Sequence, residues 1–108
     1  MAVTQSLLVA NSSSTDATSY TTASITPSSN TLVLAAILSH RSGATPSAPT
    51  LSGNGLTWVQ VASVTFNTVA SPVSRLTVFR AMGASPSSGA VTIDFGSETQ
   101  ISCGWIIS

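Results

Sequence analysis

The stretch Val91-Thr92-Ile93-Asp94-Phe95 alternates apolar and polar side chains without a break. A period of two residues is what a β-strand produces when one of its faces is buried and the other meets water. Similar short segments, rich in β-branched residues and separated by Gly, Pro, Ser and Asn, lie along the rest of the chain. We predict strands at residues 3–10, 17–25, 31–40, 56–66, 74–82, 91–95 and 101–107.

The number and spacing of these segments predict the fold class. Many short strands separated by turn residues are typical of an all-β sandwich or barrel. No segment of ten or more residues carries a sustained helical stripe, and 108 residues suffice for one small domain. We therefore predict a single domain, 1–108, that is an antiparallel β-sandwich of jelly-roll or immunoglobulin-like type with about seven to eight strands.

The run 31–40 (TLVLAAILSH) is apolar at both alternating sets of positions. Such a run is typical of a central strand covered on both faces, or of a short buried helix. The turn residues on either side and the β-rich surroundings favour the strand.

The apolar residues Trp105, Ile106 and Ile107 come directly before Ser108. They are expected either to lie in the chain's own core or to contact a neighbouring chain, because an unpaired strand is a template for another polypeptide. A third possibility is a domain that lacks its C-terminal strands. As assembly contacts we predict these three residues together with Pro46 and Pro49, which belong to the longest loop, 42–54.

Charge is scarce: 6% of residues are charged, the net charge is zero and there is no lysine. This excludes the basic surface that nucleic acid or an anionic membrane attracts. The longest apolar run, 32–38, is far shorter than the ~20 residues of a spanning helix, and residues 1–10 do not resemble a secretion signal. Ser and Thr fill 36 of the 108 positions. A nearly uncharged surface without edge-protecting lysines favours a subunit that functions within an assembly.

The residues that could perform chemistry are few and scattered. One His, one Cys and three carboxylates lack the spacing of a metal site, and there is no Gly-x-Ser-x-Gly motif. His40 is interpreted as a strand-end residue at the surface, Cys103 as a small buried hydrophobe, and Asp94 and Glu98 as solvent and turn residues. We expect no catalytic residue, no metal, no cofactor and no enzymatic activity.

Aromatic side chains offer an alternative function. Sugar-binding β-sandwiches stack exposed Trp and Tyr against sugar rings. Trp105 lies in an apolar segment, whereas Trp58 starts a strand just after a loop and can either cap the core or face outward. The alternative hypothesis is therefore a carbohydrate-binding or adhesion module that contacts glycan through Trp58 and Tyr20.

The order of segments also resembles a known module. The segments TLVLAAI (31–37), LTW (56–58), RLTVFRA (75–81), SPSSG (85–89) and VTIDF (91–95) follow one another as in a β-sandwich module of tailed-phage virion proteins and related bacterial surface proteins. In that family the strand matching 101–107 is followed by further polypeptide. The resemblance implies a non-enzymatic virion subunit (capsid decoration, tail or fibre). It would contact copies of itself and shell or tail proteins, and at the host surface a glycan.

Overall fold

The computed structural model describes residues 2–108, and its regular secondary structure consists of β-strands. They are β1 (Val9–Ser13), β2 (Ser19–Thr21), β3 (Val33–Arg41), β4 (Thr50–Ser52), β5 (Val59–Phe66), β6 (Val73–Ala81), β7 (Thr92–Asp94) and β8 (Ser102–Ile107). Residues 2–108 contain no helix, and thus none that could cross a membrane. The all-β prediction is confirmed.

The strands form two antiparallel sheets. The large sheet has the order β1-β8-β3-β6-β5, and the small sheet has the order β2-β7-β4. The nested pairs β1–β8, β2–β7 and β3–β6 are those of a jelly roll, which is also built from eight antiparallel strands. In a complete jelly roll β5 would pair with β4 in the small sheet, whereas here β5 pairs with β6 and belongs to the large sheet. The predicted β-sandwich is confirmed, with a strand order close to the jelly-roll type.

The core lies between the two sheets and draws its side chains from both. Ile37 and Ile107 of the large sheet and Ile93 of the small sheet have no accessible surface. Tyr20 meets Phe95 edge to face, with ring centroids 6.3 Å apart. This shared apolar layer, which excludes water from both sheets, holds the sandwich together.

The run 31–40 forms a strand from Val33 onward, so the helix alternative is wrong for this run. The expectation that both of its faces are covered is also wrong. Val33, Ala35 and Ile37 are buried against the small sheet, whereas Leu34, on the other face, is 41% exposed. The small sheet lies on one side only, so the alternating set that includes Leu34 faces away from the core.

Two strands depart most from the prediction, and a third, β2, is shorter than the predicted 17–25. The first strand was expected at 3–10, but β1 begins at Val9 and continues through polar residues that were expected to end it. Asn11 and Ser12 are in register with β8, because an edge strand is held by backbone pairing and needs few apolar side chains. Strand β4 lies inside the predicted loop 42–54 and has only three residues, too few to show a pattern.

Strand β8 lies between β1 and β3 and is paired along both edges. Of the alternatives for this segment, the structure shows burial in the chain's own core for Trp105 and Ile107. Ile106 points the other way and is 54% exposed. The strand therefore offers no free backbone edge to another chain, because both of its edges are already paired.

Candidate interaction surface

The large sheet has a second apolar side, which faces away from the small sheet and is called here the outer face. Strand register arranges its central side chains in two rows that run across all five strands. The Leu38 row consists of Ser12, Gly104, Leu38, Leu76 and Val64. The Ala36 row consists of Ala10, Ile106, Ala36, Val78 and Ala62.

Apolar side chains on this face are accessible to solvent. Ile106 is 54% exposed and Val64 is 56% exposed. Between β1 and β6 the rows border an open, mainly apolar groove of about 520 Å³. From strand spacing and residue rise, the face measures about 20 Å by 20 Å. An apolar patch of this size matches the largest patch found on a typical monomer, and such patches are often functional.

Charge is confined to the margin of the outer face. The five strands of the large sheet carry no Asp or Glu. Arg75 is turned to the inner side, where its Nε donates to the carbonyl oxygen of Pro46 at 2.6 Å. Arg80 stands at one end of the outer face, beside Leu34. At the other end, the ring nitrogen Nδ1 of His40 shares a 2.7 Å hydrogen bond with the hydroxyl of Ser74.

Gly104 leaves a gap in the centre of the outer face. It lies in a paired strand and its φ angle is not in the positive range. A Cβ atom built on it would meet Cβ of Ser12 at 3.7 Å and no closer atom, which is ordinary contact. A glycine inside a strand weakens it, and often marks a place where another group approaches closely. The fold itself therefore gives no reason for glycine at this position.

The loop that carries the predicted contacts Pro46 and Pro49 is fastened to the sandwich, and both prolines are buried. The carboxylate of Glu98 accepts hydrogen bonds from the Ser47 backbone N–H at 2.7 Å and from the Ser47 hydroxyl at 2.9 Å. Arg41 donates to the same carboxylate at 3.1 Å. Burial raises the pKa of Glu98, but the hydrogen bonds from Ser47 and Gln100 and the Arg41 charge outweigh it, so the pKa lies below its ordinary value.

The two residues predicted to contact glycan are both held by the fold. Tyr20 is 6% exposed, and its hydroxyl donates to the carbonyl oxygens of Thr15 at 2.8 Å and Gln100 at 3.2 Å. This burial leaves Tyr20 no ring face for a sugar. Trp58 is half-buried against the core, and its indole N–H donates to the Gly53 carbonyl at 3.3 Å. Glycan contact by Trp58 stays a prediction.

The remaining reactive groups are dispersed. Cys103 is buried, and burial raises the pKa of its thiol to about 12. Asp94 accepts a hydrogen bond from the backbone N–H of Gly96. Within residues 2–108, no three His, Cys, Asp or Glu side chains come together as metal ligands. His40 is the penultimate residue of β3 and lies on the outer face, half-buried, in agreement with the strand-end position predicted for it.

Comparison of the chain with protein-family models, with curated proteins and with solved structures finds no match. Function therefore has to follow from the residues themselves. The feature that the sequence interpretation missed is the outer face as a whole. Its signal was present in the apolar residues at both alternating sets of positions in 31–40, together with Leu76 and Val78 in 74–82.

Proposed function

We propose that the chain is a non-enzymatic structural subunit that docks its outer face onto a neighbouring polypeptide. The observation that carries this proposal is the uncharged outer face of the large sheet, where the Leu38 and Ala36 rows are half-buried at the centre and exposed at Ile106 and Val64. A strand that is apolar on both sides is typical of a sheet with covers on both sides. In residues 2–108 the small sheet supplies only the inner cover.

The size of the outer face is consistent with a docking role. Covering about 400 Å² of largely apolar surface is worth about 10 kcal/mol before the costs of association. Those costs consume much of this figure, so a single contact of this kind is weak and repeated contacts are needed for stable attachment. An assembly of many subunits supplies such repetition.

The virion setting of the proposal comes from the resemblance to phage capsid-decoration, tail and fibre modules. It is supported by a composition with 6% charged residues and no lysine. It is also supported by the engagement of two reactive side chains within the fold, since Cys103 lies in the core and Glu98 binds the Ser47 loop segment. In this role the neighbours are copies of the chain and shell or tail proteins.

The test is a mass-spectrometric inventory of particles banded from cultures of the strain that carries the gene. The chain is expected in the particle band at a fixed ratio to the main shell or tail protein. In the same cultures, Leu76→Lys places a charge in the Leu38 row and should strongly reduce incorporation. Val69→Lys is the matched control, because Val69 is 98% exposed and lies in the β5–β6 turn, off the outer face. Absence of the wild-type chain from particles, or equal incorporation of Leu76→Lys, would contradict the proposal.

A further inference from the structure

We infer that the occupant of the outer face is the outer face of a second copy of the same chain, packed sheet on sheet about a two-fold axis. This inference rests on the proposed function, since it names the partner of the same surface. Aligned sheets pack about 10 Å apart, with their strand directions within about 30° of each other. An isologous pair requires that the face be complementary to itself.

The two central rows are complementary to each other on three of the five strands, β8, β3 and β5. A two-fold axis that runs across the strands, between the rows, lays the Ala36 row of one copy over the Leu38 row of the other. On these three strands, the larger residue of one row then meets the smaller residue of the other. On β6 two large residues meet, Leu76 and Val78, and on β1 two small ones meet, Ser12 and Ala10. Ile106 meets Gly104 on β8, Leu38 meets Ala36 on β3, and Val64 meets Ala62 on β5. Alternation of large and small side chains is what lets two layers interdigitate.

The charges of the face fit the same arrangement. Arg80 and His40 stand at opposite ends of the outer face, in pairing with Leu34 and Ser74. The two-fold axis places the two Arg80 side chains at opposite ends of the interface, each near Ser74 and Phe66 of the second copy. The centre contains no ionic group that would lose its hydration.

Gly104 is explained by this pairing. The fold has room for a side chain there, with the nearest atom to an added Cβ at 3.7 Å. Without a side chain, Gly104 provides a recess directly beside Leu38 in the centre of the sheet. In the paired arrangement the recess receives Ile106 of the second copy, a large apolar side chain that is 54% exposed in the single chain.

The buried interface area determines how tightly the two copies are expected to bind. Burial of about 400 Å² on each copy gives an interface of about 800 Å², which is the size of a weak, transient association. The pair should therefore be reversible, with a micromolar dissociation constant. The free edge of β5 is a weaker candidate, because its pairing with β6 is interrupted between Gln60 and Ala62 and bulges protect edges from pairing.

The test is sedimentation equilibrium of the full chain up to about 200 µM, the range in which a small interface is populated. Wild type should show a reversible monomer–dimer equilibrium. Gly104→Val fills the recess and should weaken dimerisation about tenfold or more. Adding Ile106→Ala to Gly104→Val makes room for the valine and should recover at least part of that loss. Val69→Lys is the control outside the face and should dimerise as wild type does.

Each outcome decides the inference. A wild-type chain that stays monomeric throughout the range overturns it. Dimerisation unaffected by Gly104→Val overturns the row-over-row arrangement, provided that circular dichroism shows the variant folded. If adding Ile106→Ala to Gly104→Val recovers no dimerisation, the proposed contact between Gly104 and Ile106 of the second copy is wrong. Failure here is distinguishable from failure of the proposed function, which depends on whether Leu76→Lys still enters particles.

Discussion

The two faces of the large sheet are both apolar, yet only one is covered within the chain. Ile37 and Leu38 are neighbours in β3, with side chains of equal size. Ile37 has no accessible surface because the small sheet lies over it, whereas Leu38 lines an open groove. The difference teaches that an apolar run predicts a strand, but does not show that the same chain covers both of its faces.

The largest expected effect on stability distinguishes these two neighbouring side chains. Ile37→Ala removes a fully buried side chain and should lower the free energy of unfolding by about 3 kcal/mol. Leu38→Ala should lower it by about 1 kcal/mol or less in dilute solution, because the side chain already meets water. Urea unfolding at low micromolar concentration measures both. Equal losses would show that the outer face is covered by the chain itself.

The next largest effect on stability is expected at Glu98, which binds the loop that contains Ser47. Glu98→Gln removes the charge that accepts bonds from Ser47 and Arg41, and should cost about 1–2 kcal/mol at pH 7. Because the pKa of Glu98 is lower in the folded chain, its contribution is complete above the ordinary value of 4.5 and is lost as the pH falls towards the folded-state pKa.

Urea unfolding between pH 3 and pH 7 measures this effect. Wild type should lose stability over the acid part of this range. Glu98→Gln should lose less, so that the two curves converge at low pH. Parallel curves would mean that the carboxylate does not fasten the loop.

On the outer face, a substitution at Gly104 is expected to raise the free energy of unfolding, by less than the losses above. Gly104→Ala restricts the unfolded chain and fits the available space, so it should stabilise the dilute monomer by about 0.5–1 kcal/mol. The same substitution should weaken the dimer. Thermal unfolding at low concentration and sedimentation at high concentration separate the two effects, and a destabilised monomer would show that the fold itself needs the glycine.

The smallest expected effect is that of sodium chloride on dimerisation. With no carboxylate on the five strands of the large sheet, dimerisation should change less than about threefold between low and moderate sodium chloride. Sodium sulfate should strengthen it, because excluded salts favour apolar burial. Light scattering measures both, and a steep loss of dimer with sodium chloride would indicate ion pairs at the interface.

Much of the fold was predictable, because burial on one face leaves a period of two residues. Residues 91–95 and 74–82 show this period and contain β7 and most of β6. Strands β1 and β4 were misplaced or missed, since Asn11 and Ser12 are held by backbone pairing and three residues of β4 carry no pattern. The outer face could not be derived from single strands, because it arises only when the register brings Gly104, Leu38 and Leu76 side by side.

The central claim is that the outer face is covered when copies of the chain meet, and thiol labelling tests it most directly. Cys103 is 1% exposed with a thiol pKa of about 12, so a maleimide should report only on an introduced cysteine. Ala36→Cys should react rapidly in dilute solution and several-fold more slowly at high concentration, whereas Val69→Cys should react at the same rate in both. An Ala36→Cys thiol that labels equally fast at every concentration would contradict the account.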